Sequence, residues 1–265
     1  MTSGRITLTV LLAALSLPGC SDPREEFGKT YYLDGAGNWG FGVADVANGL
    51  ERAGYDGAVE TFLWTTSFNP AIDQVNRIGA RLRALGLAGL IDDYIDKHPD
   101  KDVNVIALSA GTGVTIWAIE NLRAGHQVNN VVLLGSSLSY DYDIRKAAEN
   151  IRGKIYVYFS PHDTILQAPV RALGTIDGKL NHEAAGLVGL HPPHGPDEKV
   201  VNTAWNRRYV RYGWTGAHTD CTSEPFVRNV LARHILPSSE PTPEQESAPA
   251  TQPADLAARG SPKRR

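Results

Sequence analysis

Cysteine is scarce in this 265-residue chain, which has only Cys20 and Cys221. Two cysteines exclude a disulfide-stapled scaffold and a four-cysteine zinc site. A basic surplus is also missing, with 26 Lys and Arg against 29 Asp and Glu. That balance argues against a nucleic-acid binder, which carries excess positive charge. Long apolar runs are nearly absent. One stands out, the twelve residues from Ile6 to Leu17, short of the ~20 that a membrane-spanning helix needs. No internal repeat is present. What the chain does have is apolar content: 42% hydrophobic residues, enough to build a buried core rather than stay disordered. The length fits one large α/β domain or two small ones.

The first apolar run reads as an export signal. One cation, Arg5, precedes it, and Pro18-Gly19-Cys20 ends it. Its length matches the apolar region of a secretory signal peptide. Leu17-Pro18-Gly19-Cys20 resembles a bacterial lipobox. The resemblance implies cleavage before Cys20, acylation of its thiol and a lipid-anchored protein of the cell envelope. Plain secretion, or a periplasmic location, is the alternative, although bulky Leu17 suits such a cleavage site poorly. An internal buried helix is a third reading. From Pro237 the composition changes: six of the sixteen prolines lie beyond that point, with no Phe, Tyr, Trp, Ile or Val. Such a tail cannot bury enough apolar surface to offset its ordering entropy. The expected organisation is a signal peptide over 1–19, an anchored linker over 20–26, one folded domain over 27–236 and a disordered tail over 237–265.

Within the domain, apolar strand patterns alternate with helical ones. Strands are expected over 30–33, 59–64, 103–108, 131–134, 155–159 and 200–205. Helices are expected over 41–52, 71–98 with a break near Gly86 or Gly89, 112–123, 144–151 and 226–235. Continuous apolar strands between amphipathic helices imply a mostly parallel sheet of about six strands, covered on both faces as a three-layer sandwich. Ligands of such sheets bind outside the carboxyl ends of the strands.

Two motifs fall at those ends. Ala107-Leu108-Ser109-Ala110-Gly111 joins an apolar strand to a helix. A nucleophile on so sharp a turn needs small residues two positions before and two after it, and the following helix N-terminus aims free N–H groups at the reacting atom. The motif resembles the nucleophile turn of the α/β-hydrolase superfamily, with Ala107 where glycine is usual. The alternative is that Ser109 caps a helix. The second motif, Gly35-Ala36-Gly37-Asn38-Trp39-Gly40, spells a dinucleotide fingerprint. That reading expects an acid at the end of the next strand, where Leu63-Trp64-Thr65-Thr66 offers none. In the hydrolase resemblance the same loop is the oxyanion loop, with Asp34 in the place of a histidine. A carboxylate beside an oxyanion is unfavourable, so Asp34 is expected to turn away and accept bonds from its own loop.

The resemblance further implies that the acid and the histidine follow the serine in chain order. Asp163, after the fifth strand, is the expected acid, with Asp141 and Asp143 one strand earlier as alternatives; Asp163 capping a turn is the competing reading. His218, before the last helix, is the expected base. Backbone N–H groups of Ala36 and Ala110 would hold the oxyanion. His191, His194 and Asp197 have metal-ligand chemistry, but their proline-rich context reads as a surface loop. No metal or cofactor is required. The resemblance implies a minimal α/β-hydrolase fold lacking its first two strands and any large cap, although 167–199 has room for a small one. The function expected is a serine hydrolase of esterase or lipase type, acting on an ester or related acyl bond of a small molecule or lipid. An inactive hydrolase-fold binding protein at the cell envelope is the alternative, and a dinucleotide-binding oxidoreductase comes third. Cys221 is expected to be a bystander.

Overall fold

A computed structural model describes residues 22–195 and 197–236 of the chain, apart from the side chain of Asp197. The apolar run, Cys20 and the proline-rich tail lie outside the described residues. Asp22–Gly28, expected mostly as linker, form a capped 3-10 turn over Pro23–Phe27, and the Tyr94 hydroxyl donates to the Glu25 carbonyl at 2.6 Å.

Six strands follow: β1 Lys29–Leu33, β2 Ala58–Thr61, β3 Val103–Leu108, β4 Val131–Leu134, β5 Ile155–Phe159 and β6 Val200–Ala204. They form one sheet in the order β2-β1-β3-β4-β5-β6, every pair parallel. The expected strand count and parallel class hold. The chain steps outward from β1 to β2, then returns to the other side of β1 as β3. A switch point therefore lies between the carboxyl ends of β1 and β3, where the crevice of an open parallel sheet forms.

Side chains alternate across the sheet, and two apolar layers result. On one face Val103, Val105 and Ala107 of β3 pack with Leu33, Val131 and Val157 under α3, Arg77–Lys97, and α4, Gly111–Ile119. On the other, Ile106 and Leu108 join Tyr32, Val132, Leu134 and Tyr158 under α1, Val43–Arg52, and the C-terminal helical segment around Phe226–Leu231. Helix α3 buries Ala80, Ala84, Leu87, Ala88, Ile91 and Tyr94, the spacing of one helical face. Every residue of α4 is buried, including Trp117 and Ile116. Each large apolar side chain buried in this way contributes about 1.5–3 kcal/mol.

The helical boundaries differ from expectation in two places. The break in 71–98 falls at Asn76, not at a glycine: α2 is Pro70–Val75, and α3 then runs through Gly86 and Gly89. Asn69 caps α2 with Pro70 at its first position, and the Asn76 side chain accepts from Gly79 N, restarting the helix. The helix expected over 226–235 is irregular, passing from Glu224–Phe226 through the π turn Val227–Leu231 to a 3-10 turn, Ala232–His234. No helix among the described residues is long and apolar enough to cross a membrane.

Candidate active site

Strand register places Asp34, Ser109, Gly135 and Ser160 along one sheet edge, because Leu33 pairs with Ala107, Leu108 with Leu134 and Leu134 with Tyr158. Ser109 follows β3 at φ +53°, a left-handed conformation that a residue with a side chain adopts at a cost. The turn is held from below, where Ser109 N donates to Leu134 O at 2.9 Å and Ser137 N to Ser109 O at 3.3 Å. The Thr112 hydroxyl also caps Ser109 O and pairs with Ser136 Oγ at 2.8 Å. The small residues read from the sequence have a visible purpose. A side-chain carbon on Gly111 would lie 2.5 Å from the Asp34 carbonyl oxygen, so only glycine lets α4 start this close to β1.

Asp163 lies just beyond β5 and is 2% exposed. Its Oδ1 accepts from Ile165 N and Leu166 N, both at 3.1 Å. Its Oδ2 meets His218 Nδ1 at 2.6 Å, from a histidine fifty-five residues later in the chain. Both competing sequence readings of Asp163 thus describe the same side chain: it caps a turn with one oxygen and holds His218 with the other. The alternatives are engaged elsewhere. Asp141 pairs with Lys179 at 2.6 Å and with His182 at 2.8 Å, and Asp143 with Arg145 at 2.6 Å.

The His218 loop is anchored by buried Trp214, which stacks on Tyr209, packs edge-on to Phe226 and donates from Nε1 to Ala217 O at 3.3 Å. Cys221 is fully within the core, its Sγ donating to His218 O at 3.3 Å, and burial pushes its thiol up. A thiol so desolvated is a packing group and a poor nucleophile. Gly135 makes room for the Asp–His pair: a carbon there would sit 3.2 Å from His218 Nδ1 and 3.4 Å from Asp163 Oδ2. Sequence reasoning missed it, because nothing near Gly135 in the chain signals that contact.

The Gly35–Phe41 loop closes the other side. Its backbone packs on the serine, with a carbon on Gly35 falling 3.2 Å from Ser109 Cβ. Asp34 turns inward as expected, accepting from Gly35 N and Gly40 N at 2.7 Å and from Phe41 N at 3.1 Å. Burial holds its carboxyl above the usual range, although these N–H groups and the nearby His218 pull the other way. Asp73 of α2, also unforeseen, accepts from Gly37 N at 2.7 Å, Thr65 Oγ1 at 2.7 Å and Ser67 Oγ at 2.6 Å. The glycine amides that a dinucleotide pyrophosphate would use are thus taken by the chain's own carboxylates. The N–H groups of Ala36 and Ala110, by contrast, make no hydrogen bond among the described residues.

Ser109, His218 and Ala36 line one pocket of about 620 Å³, within the range of small-molecule sites. Its walls include Pro70 and Gln74 of α2, Ile165, and Val170 and Leu173 of the helical turns Leu166–Val170 and Arg171–Leu173. Gln74 Nε2 donates to Gly174 O at 2.9 Å and ties the two walls together. The room expected for a small cap over 167–199 is therefore used only at its start. Ser109 and His218 face this pocket without a hydrogen bond between them among the described residues; such bonds are often long without substrate.

The other described histidines lie away from the pocket lining. His126 is partly buried beside Asp92 at 2.8 Å. His234 stacks on Tyr156 and meets the Tyr158 hydroxyl at 2.9 Å, and burial lowers it to about 4. In the proline-rich loop, His191 Nε2 lies 3.1 Å from Val188 O, and His194 is exposed. No group of three metal-ligating side chains forms among the described residues.

No protein-family model matches the chain, and no curated protein matches it. Similar solved structures include an esterase from Pyrococcus furiosus, at 12% identity over 78% of this chain and 82% of that one, with a TM-score of 0.46. A dienelactone hydrolase from Anabaena variabilis is 19% identical over 79% and 83%, with a TM-score of 0.42. A cutinase-like protein from Cryptococcus sp. is 12% identical over 79% and 93%, with a TM-score of 0.41. The sheet order with its switch point, the left-handed serine turn after β3 and the loops that follow β5 and β6 together give this chain a compact α/β-hydrolase fold.

Proposed function

We propose that the protein is a serine hydrolase that cleaves an ester or related acyl bond through an acyl-enzyme intermediate. The observation that carries this reading is His218, held from behind by buried Asp163, facing the same pocket as a serine in a left-handed turn. His218 Nε2 takes the Ser109 proton as Oγ attacks the acyl carbonyl. Asp163 fixes the tautomer that carries hydrogen on Nδ1 and stabilises the imidazolium. The oxyanion of the tetrahedral intermediate accepts from the Ala36 and Ala110 N–H groups, which make no hydrogen bond among the described residues. Collapse breaks the bond to the leaving alcohol, which takes its proton from His218. Water, activated by the same histidine, then attacks the acyl-serine and releases the acid.

A fluorophosphonate probe tests the proposal. Its adduct should map by mass spectrometry to the peptide containing Ser109. An unlabelled protein, or an adduct on Cys221, would reject it.

Export as a lipoprotein anchored through Cys20 belongs to the same reading, supported by the twelve-residue apolar run that ends at that cysteine. Mass spectrometry of the mature N-terminus should find acylated Cys20 as the first residue. An unmodified start elsewhere would remove the anchor and leave plain secretion.

A further inference from the structure

Charge is missing where a substrate would lie. The described residues that line the pocket include no Lys, Arg, Asp or Glu, and much of the wall is apolar: Trp39, Phe41, Pro70, Ile165, Val170 and Leu173. Behind the wall stand three carboxyl groups, each at most 2% exposed: Asp34 beneath the Gly35 loop, Asp73 in α2 and Asp163 just before Thr164. Backbone N–H groups, two hydroxyls and His218 are their hydrogen-bond donors. None of the three is within ion-pair distance of a Lys or Arg among the described residues. The negative charge behind the pocket is thus balanced by dipoles and one histidine. Low-dielectric walls weaken the screening of such a field.

We infer, on the ester-hydrolase reading above, that the pocket takes the acyl part of an uncharged, apolar ester and rejects an ester whose acyl chain ends in a carboxylate. Two costs act together against the anionic substrate. Its terminal carboxylate loses water on entry with no cation to pair with. It also meets the buried carboxylates at like sign. A neutral chain of the same length meets neither cost and gains from leaving water.

Two p-nitrophenyl esters of equal acyl length separate the cases: the hexanoate, and the adipate half-ester with its free carboxylate. The hexanoate should have a kcat/KM at least ~100-fold higher, the size expected for one unpaired like charge in such a site. Ile165→Arg, a change at an exposed rim position, should raise the adipate-to-hexanoate ratio by ~10-fold or more. Equal rates for the two esters in a protein that the fluorophosphonate probe labels at Ser109 would overturn this inference alone. So would a ratio that Ile165→Arg leaves unmoved. Absence of probe labelling at Ser109 would overturn the hydrolase reading, and this inference with it.

Discussion

Asp163 divides its carboxylate between two backbone amides and His218, and on the proposed function the division sets a prediction. Asp163→Asn keeps an oxygen for the Ile165 and Leu166 amides but presents an NH2 to His218 Nδ1, favouring the wrong tautomer. The variant should fold and lose on the order of 10⁴ in kcat. Asp141→Asn and Asp143→Asn remove surface pairs only and should stay near wild type in the same assay. A second residue-scale prediction concerns His234, which the fold holds neutral, with its pKa near 4 against an ordinary value of 6.5. Between those values the unfolded chain binds a proton that the folded chain does not, so stability is complete above pH 6.5 and falls as pH drops towards 4. The loss is at most about 3 kcal/mol. Urea unfolding at a series of pH values should show this acid-side slope, and His234→Gln, which offers Tyr158 an acceptor that does not titrate, should flatten it. Ser109 was legible in the sequence because a strained turn needs small neighbours within five consecutive residues. Asp73 was not, since its link to the Gly35–Phe41 loop crosses thirty-six residues of chain.

At the scale of elements, apolar runs gave the strands away: β3, β4 and β5 fall on their expected residues because strands covered on both faces are mostly apolar. Helices were harder to place. The glycines of α3 read as breaks, yet Gly89 has open space around it and Gly86 has little nearby, so the helix tolerates both. The true break is an asparagine cap with no apolar signature, and the helix before it supplies a pocket wall that periodicity alone could not reveal. The junction of β1 with α4 has the least slack. Gly111→Ala pushes a methyl group into the Asp34 carbonyl, which overpacks the turn by about 1–3 kcal/mol. The midpoint of thermal unfolding should fall by roughly 2–12 °C. Activity should fall with it, because the Asp34 carbonyl that must move leads directly into the loop proposed to hold the oxyanion. An unchanged melting temperature would show that the turn relaxes freely.

Across the whole molecule, the parallel sheet performs the assembly. Ser109, Asp163 and His218 lie on three separate loops, and a sheet whose strand ends share one edge brings Ser109 and His218 to a single pocket with Asp163 behind His218. This convergence was readable in advance because chain order and strand order are linked in such folds. The chemistry of the pocket wall was not, since it comes from loops and short helices whose mutual placement depends on packing. The claim on which the functional account rests is that Ser109 is the nucleophile, and hydrolysis of a p-nitrophenyl ester by wild type and Ser109→Ala tests it most directly. Ser109→Ala removes one hydroxyl from a turn whose backbone bonds it leaves intact, so the variant should unfold at nearly the wild-type temperature while kcat falls by about 10⁶. Turnover within about tenfold of wild type in a folded Ser109→Ala protein, far above the residual rate left by a lost triad, would contradict the account.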